Sequence, residues 1–470
     1  MKKVLFLLFI IVLLLQQTVT LPGCANIVPP QGGPKDTIPP VLLSVNPTDS
    51  SKNFKDSRIT FTFDEFVDVQ NLVENLIVSP LPQITPQVDP KLKTVTVRLK
   101  DSLEENTTYT IDFGNAIKDF TEGNPAKNLT YTFSTGNYFD SLELKGNVII
   151  AETGKVDTTL IVMLHTNPDD SIVIKEKPRY IAKLDGKGNF HFKNLPQKPF
   201  YLYALKDEGN SRRYFNEQQI FAFADSSVMP GSADEITLYA YSIPKASPLS
   251  NLPSIGGRNK QVAVGGENRL NYQTTLQGGL QDLLKTFEIK FEEPLKTFDD
   301  KKINLFTDSA YNPVPGHSFI LDSTGTKISL QHSWKENTLY HLVLEKDFAE
   351  DSSGRKLLKD DTLHFATRKR TDYGSLKLRL RNIDTSQNPV LQFLQNDKVY
   401  QAFPLSGENL SVDLFTPGEY QLRVLFDRNK NGVWDPGNFF GSHIQPETVQ
   451  PIDRKLSIKA NWKNEFEIEL

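Results

Sequence analysis

Ile59-Thr60-Phe61-Thr62-Phe63-Asp64-Glu65 alternates large apolar side chains with polar ones, and the pattern returns 228 residues later as Phe287-Glu288-Ile289-Lys290-Phe291-Glu292-Glu293. A period of two places successive side chains on opposite faces of an extended chain, which defines a strand buried on one side. Val95-Thr96-Val97-Arg98-Leu99, Tyr109-Thr110-Ile111-Asp112-Phe113 and Leu376-Lys377-Leu378-Arg379-Leu380 read the same way, with Asn, Asp, Gly and Pro between them. Only Leu72–Leu76 and Gln281–Lys285 suit a helical turn, so the class is all-β.

The recurrence extends beyond one strand. Glu105-Asn106-Thr107-Thr108-Tyr109 returns as Glu336-Asn337-Thr338-Leu339-Tyr340 at an offset of 231, and Leu129-Thr130-Tyr131-Thr132-Phe133 as Asp361-Thr362-Leu363-His364-Phe365 at 232. A second pattern lies between these copies. Phe200-Tyr201-Leu202-Tyr203-Ala204-Leu205-Lys206-Asp207 matches Tyr420-Gln421-Leu422-Arg423-Val424-Leu425-Phe426-Asp427 at 220. Matches in one order at nearly one offset indicate a unit written twice, A1-B1-A2-B2. The boundaries expected are 38–136 for A1, 138–242 for B1, 268–369 for A2 and 372–470 for B2. The linker 243–267 is rich in Gly and Pro.

At 470 residues the chain is long enough for several cores. Its 53 basic and 57 acidic side chains give a net charge of −4 without long single-sign runs, which argues against a nucleic-acid partner. The single cysteine excludes an intrachain disulfide and any multi-thiolate metal site.

That cysteine, Cys24, follows Met1-Lys2-Lys3, an apolar run from Val4 to Leu15, and Leu21-Pro22-Gly23. A helical run of that length covers about 18 Å, short of the ~30 Å hydrocarbon layer, and reads as a secretory leader, 1–23. The segment resembles the lipobox of bacterial lipoproteins, with Pro22 where Ala, Ser or Thr is usual. The resemblance implies cleavage before Cys24, acylation of its sulfur and amine (palmitate being one such chain), and anchoring to an envelope membrane. Several acyl chains would hold the protein stably. Residues 24–37 would form a Pro/Gly-rich tether, and Ala25 beside the cysteine resembles lipoproteins sorted to an outer membrane.

The A stretches resemble bacterial immunoglobulin-like domains of the SbsA type. The resemblance rests on Pro39-Pro40-Val41-Leu42-Leu43-Ser44-Val45-Asn46-Pro47, on Phe63-Asp64-Glu65, on the Asn106–Tyr109 turn and on Tyr131-Thr132-Phe133-Ser134-Thr135. The B stretches resemble the transthyretin-like (prealbumin-like) or carboxypeptidase-regulatory-like sandwich, through Leu195-Pro196 with Tyr201 and Tyr203, and Pro417-Gly418 with Tyr420. Such domains imply tandem β-sandwiches acting as spacers or binding modules.

Asp427-Arg428-Asn429-Lys430-Asn431-Gly432-Val433-Trp434-Asp435 carries the sharpest chemical pattern. Oxygen-bearing side chains at places 1, 3, 5 and 9, a Gly at 6 and a main-chain carbonyl at 7 match the start of a Ca²⁺ loop. Asp427, Asn429, Asn431, Val433 and Asp435 are the candidate ligands. Asn438 stands at place 12 instead of a bidentate Glu, so the missing ligand must come from Asn438, another loop or water. A metal-free turn held by Asx hydrogen bonds remains the alternative. The matching stretch Asp207–Phe215 brings in Arg212 and Arg213, and no metal is expected there.

Asp64-Glu65 and Glu292-Glu293 are adjacent on strands and face opposite sides, so solvated strand ends are expected in preference to acid–base pairs. The histidines, among them His332, His341 and His364, form no ligand motif, and polar-face positions are the default for them. Trp334, Trp434 and Trp462 are expected in core or loop packing. No nucleophile elbow or phosphate loop is present in the sequence. The expectation is therefore a non-enzymatic, lipid-anchored envelope protein, a spacer or binding module whose partner is an envelope protein or glycan. The alternative is an envelope hydrolase or glycan-processing accessory protein with a site built from interdomain loops, using Asp427, Asp435 or the A-stretch carboxylates.

Overall fold

The structure is a computed structural model that describes residues 35–233, 235–243 and 269–470. Cys24, the leader, most of the tether and nearly all of the linker lie outside the described residues. The chain divides into two compact units, Met1–Ser141 with Asn194–Pro196, and Leu142–Lys193 with Gln197–Leu470.

In the first unit Arg58–Phe63 lies between Leu42–Asn46 and Thr94–Arg98, with Gln87–Lys91 at the far edge of the sheet. The second sheet places Thr108–Asp112 between Ile77–Ser79 and Thr130–Ser134. Alternation decides which side chains meet between the sheets. Ile59, Phe61, Phe63, Val95, Val97, Ile111, Tyr131 and Phe133 are all at most 1% exposed, while the threonines between them face outward. Each such side chain contributes roughly 1.5–3 kcal/mol.

The matched stretches of A2 take the same places in the second unit. Phe287–Phe291 lies between Tyr272–Thr274 and Lys327–Gln331, and Leu339–Leu344 between Ile303–Thr307 and Asp361–Thr367. The B stretches likewise share one topology. Leu142–Ile150 pairs in parallel with Ile236–Ala240, as Gly374–Arg381 does with Lys463–Glu469. In their second sheets the order Tyr180–Lys183, Leu160–His165, Tyr201–Lys206, Phe221–Phe223 is repeated by Lys398–Pro404, Pro389–Gln395, Gly418–Phe426, Thr448–Ile458. The molecule is all-β, built of face-to-face sheets.

The Glu-Asn-Thr-x-Tyr repeat has a physical cause. Asn106 and Asn337 hold φ of 51° and 48°, a left-handed conformation that asparagine tolerates. Thr107 N–H then donates to Thr135 Oγ1 and Thr338 N–H to Thr367 Oγ1, both at 2.9 Å. Each hydroxyl passes its own proton on, to Glu104 O at 2.7 Å and to Lys335 O at 2.6 Å. The Tyr109 and Tyr340 hydroxyls accept from the N–H of Glu104 and Lys335. One threonine hydroxyl thus ties the last strand of each sandwich to the turn that precedes its partner. Thr135→Val leaves both backbone groups unpaired and is expected to destabilise the first unit by about 2 kcal/mol, read from the denaturant midpoint, with Thr135→Ser restoring most of it.

Candidate functional site

The strand Gly418–Phe426 delivers Asp427 into the loop that leads to Thr448–Ile458. Asp427 is 1% exposed and organises the turn around its carboxylate. Oδ1 accepts from Lys430 N–H at 2.7 Å, and Oδ2 from Gly432 N–H at 2.7 Å. Asn429 Oδ1 accepts from Asn431 N–H at 3.1 Å and Asn431 Oδ1 from Val433 N–H at 2.7 Å, a ladder of Asx turns. Lys430 and Gly432 sit at φ of 62° and 79°, so glycine at the second position removes a strain that any other residue would carry. The Asn429 and Asn431 amide nitrogens both donate to Asp435 Oδ2 at 2.7 Å. Four of the five candidate ligands, Asp427, Asn429, Asn431 and Asp435, are thereby joined in one network. Val433 is 64% exposed and enters that network through its backbone.

Asn438 does not join them. Its N–H donates to Ile444 O, and Asn438 O accepts from Ile444 N–H, closing a separate turn. Glu447, from the far end of the loop, joins the network instead. Glu447 is 2% exposed, and its carboxylate accepts from Arg428 N–H at 2.8 Å and Asp435 N–H at 3.1 Å. Burial pushes its pKa up, and Asp427 and Asp435 add to that, against the lowering effect of the two N–H donors. Glu447 lies twenty residues beyond Asp427, at a spacing that no local motif contains. The one available signal was an acid in the strand-return of a loop already suspected. Its main-chain oxygen also receives Trp434 Nε1–H at 2.6 Å, which fixes Trp434 as loop packing.

The same loop enters an aromatic cluster of B1, within the second unit. The Phe439 ring, 4% exposed, stands 5.2 Å from Phe221, 5.1 Å from Phe223 and 5.6 Å from Tyr203. Phe440 meets Tyr214 at 5.8 Å. Polar contacts surround this plug: His443 Nε2 with Asp170 Oδ2 at 2.7 Å, and Gln445 Nε2–H to Phe223 O and Asp225 Oδ1. Val449 N–H donates to Ala151 O at 3.0 Å and Arg423 Nη1–H to Glu152 O at 2.6 Å. A Cβ at Gly437 would stand 2.7 Å from the Tyr241 ring, so only glycine lets the backbone approach this closely.

The remaining candidates serve structure. Asp64 Oδ1 accepts from Val41 N–H at 2.8 Å. Glu293 accepts from Ser352 and Ser353 and pairs with Arg355 at 3.1 Å. Its counterpart Glu65 stands among carboxylates. Burial, then Asp119, Asp64, Asp36 and Glu122, raise its pKa. The B1 loop folds around Asp207, which accepts from Ser211 N–H and Arg212 N–H. Trp334 packs against the A2 core, whereas Trp462 is 62% exposed beneath Lys459, a departure from the packing expected of it. The histidines are less scattered than their spacing suggests, because His341 and His364 meet. Among the described residues no group of three or more His, Cys, Asp or Glu is arranged to hold a metal ion.

Residues 36–135 match the family model described as Bacterial Ig-like domain. No curated protein matches the chain. Among solved structures the chain is similar to the Bacillus anthracis TIE protein, at 10% identity and a TM-score of 0.16 over 94% of this chain and 76% of that one. It is also similar to BcpA, the major pilin subunit of Bacillus cereus, at 8% identity and 0.17 over 70% and 99%. A third likeness is to the N-terminal part of the bacterial S-layer protein SbsC, at 17% and 0.16 over 44% and 45%. Likenesses this low carry no argument about what this chain binds or does.

One buried group beneath the plug makes the second unit sensitive to acid. His165 is 2% exposed, lies edge-on to Tyr203 and has no partner for Nε2 among the described residues. Burial pushes its pKa down from 6.5 to about 4. The unfolded chain takes up this proton near 6.5 and the folded chain only near 4. Stability is therefore undiminished above 6.5 and falls as the pH drops towards 4, by about 3 kcal/mol in all. Thermal melts across that window should show the decline, and His165→Phe should flatten it.

Proposed function

We propose that this chain is a non-enzymatic structural protein of a bacterial cell envelope, anchored by lipid at Cys24 and carrying its β-sandwiches as a spacer or binding module. The observation that carries the reading is the use of the chemically capable side chains. Asp427, Glu447, Asp64, Glu293 and Asp351 each accept hydrogen bonds that shape a turn or join strands. The match of residues 36–135 to a bacterial Ig-like family supports it. The lipobox resemblance at Leu21–Cys24 supports the anchor, and Ala25 the outer membrane. Among the described residues no helix is long and apolar enough to cross a membrane. Mass spectrometry of the mature N-terminus is the test. A diacylated or triacylated peptide beginning at Cys24 is expected, and an unmodified Ala25 terminus or a retained leader would remove the anchor.

The loop at 427–447 is proposed to hold Ca²⁺. The donors are all hard oxygens: the Asp427, Asp435 and Glu447 carboxylates, the Asn429 and Asn431 amides and the Val433 carbonyl, the kind of set Ca²⁺ takes. The acidic side chains do not close a cage alone, so amide and main-chain oxygens would complete it. Burial raises the Glu447 pKa and the nearby Asp427 and Asp435 add to it, and a bound cation would offset that added repulsion. At Ca²⁺ a hundredfold above its dissociation constant, the second unit should gain about 2.7 kcal/mol over the EDTA-treated protein. Asp435→Ala should abolish the difference, and a wild-type melting curve indifferent to EDTA would refute the site.

A further inference from the structure

The strands Leu339–Leu344 and Asp361–Thr367 pair antiparallel with His341 directly opposite His364. The two Nδ1 atoms are 2.5 Å apart, within hydrogen-bond distance, and the rings lie 79° to one another. At most one proton fits between them, which leaves one bare lone pair facing its neighbour. His341 is 6% exposed, and its Nε2 is buried with no hydrogen-bond partner. Its strand neighbours Tyr340 and Leu342 belong to the A2 core, so His341 lies on the outer face of the sheet. Tyr311 covers it there, stacked at 4.7 Å and 17°. Asp308 stands close by at φ 58°, its carboxylate accepting from Ala310 N–H and Asn312 Nδ2–H. Its carboxyl is held below the usual value by Asn312 and Ala310 and, in last place, by His341. His364 is exposed, which gives solvent access to the pair.

We propose that His341 and His364 form a two-imidazole site for a divalent ion of the Cu²⁺, Ni²⁺ or Zn²⁺ class, with water completing the coordination. Imidazole nitrogen suits these borderline ions, and Cu²⁺ binds such donors most tightly. Ligation of one ion at ~2.0–2.1 Å needs the two nitrogens roughly 3 Å apart. The exposed His364 ring can supply that small opening while His341 stays clamped beneath Tyr311. On binding, the shared proton moves from Nδ1 to Nε2 of the same ring by exchange with solvent, so both rings stay neutral, each with its one proton on Nε2 and its Nδ1 lone pair free for the ion. The oxygen-lined loop at 427–447 belongs to a different class of ion, so the two sites are separable by metal.

The test is titration of the mature chain with CuCl₂ and NiCl₂ by calorimetry, together with Cu²⁺ electron paramagnetic resonance. One ion per chain is expected to bind at least tenfold more tightly than to His364→Ala, with hyperfine splitting from two nitrogens that falls to one in the variant. His364→Ala changes an exposed side chain and is expected to fold, checked by its melting curve. His443→Ala, which alters a histidine paired elsewhere, should bind as the wild type does. Equal affinities for wild type and His364→Ala, a single-nitrogen signal in the wild type, or no bound ion, meaning a shared proton only, would each overturn the site.

Discussion

The Phe439 ring lies among Tyr203, Phe221 and Phe223, side chains more than two hundred residues earlier in the chain, and the second unit depends on that contact. Removal of an aromatic ring from water is worth several kcal/mol, more than any one of the surrounding polar contacts. The polar groups supply direction instead. Val449 N–H to Ala151 O, Arg423 to Glu152 O and Gln445 to Phe223 O fix which strand of B2 faces which strand of B1. The loop that carries the plug is the one organised by Asp427 and Glu447, so its stiffness decides how well the ring is presented.

The strands were legible in the sequence because each is half-buried: Ile59, Phe61 and Phe63 alternate with threonines, and that period survives any rearrangement of neighbours. The recurrence of Glu-Asn-Thr-x-Tyr was equally visible, since a left-handed asparagine and a hydrogen-bonded tyrosine tolerate few replacements. Part of the loop was visible too, from Asp427 to Asp435, because its contacts are local. Glu447 and Phe439 were not, since what they do is set by partners far away in sequence. The meeting of His341 with His364 was hidden for a related reason. Two residues 23 apart become neighbours only when the register of their strands is known.

Comparison of the two A stretches shows what duplication permits. Glu293 has Arg355 beside it, and Arg355 also binds Asp351 at 2.7 Å. In A1 the residue in that place is Asn124, which donates to Asp119 through its backbone and to Asp36 O through its side chain. Asp119 is held below its usual pKa by three backbone N–H groups and the Asn124 side chain, although burial works against them. Main-chain donors hold the turn in both copies, and in A2 the Arg355 guanidinium adds to them. Surface charge is left free to diverge.

The aromatic receptor on B1 is complete once residue 241 has been made, yet the ring that fills it comes some two hundred residues later. Until that later segment arrives, the patch stays uncovered. Any other chain bearing a Phe439-like tip has that interval in which to insert first. Exchange of plugs between two nascent copies would produce a swapped dimer that uses the same contacts as the monomer, and production conditions would then decide how much of each accumulates.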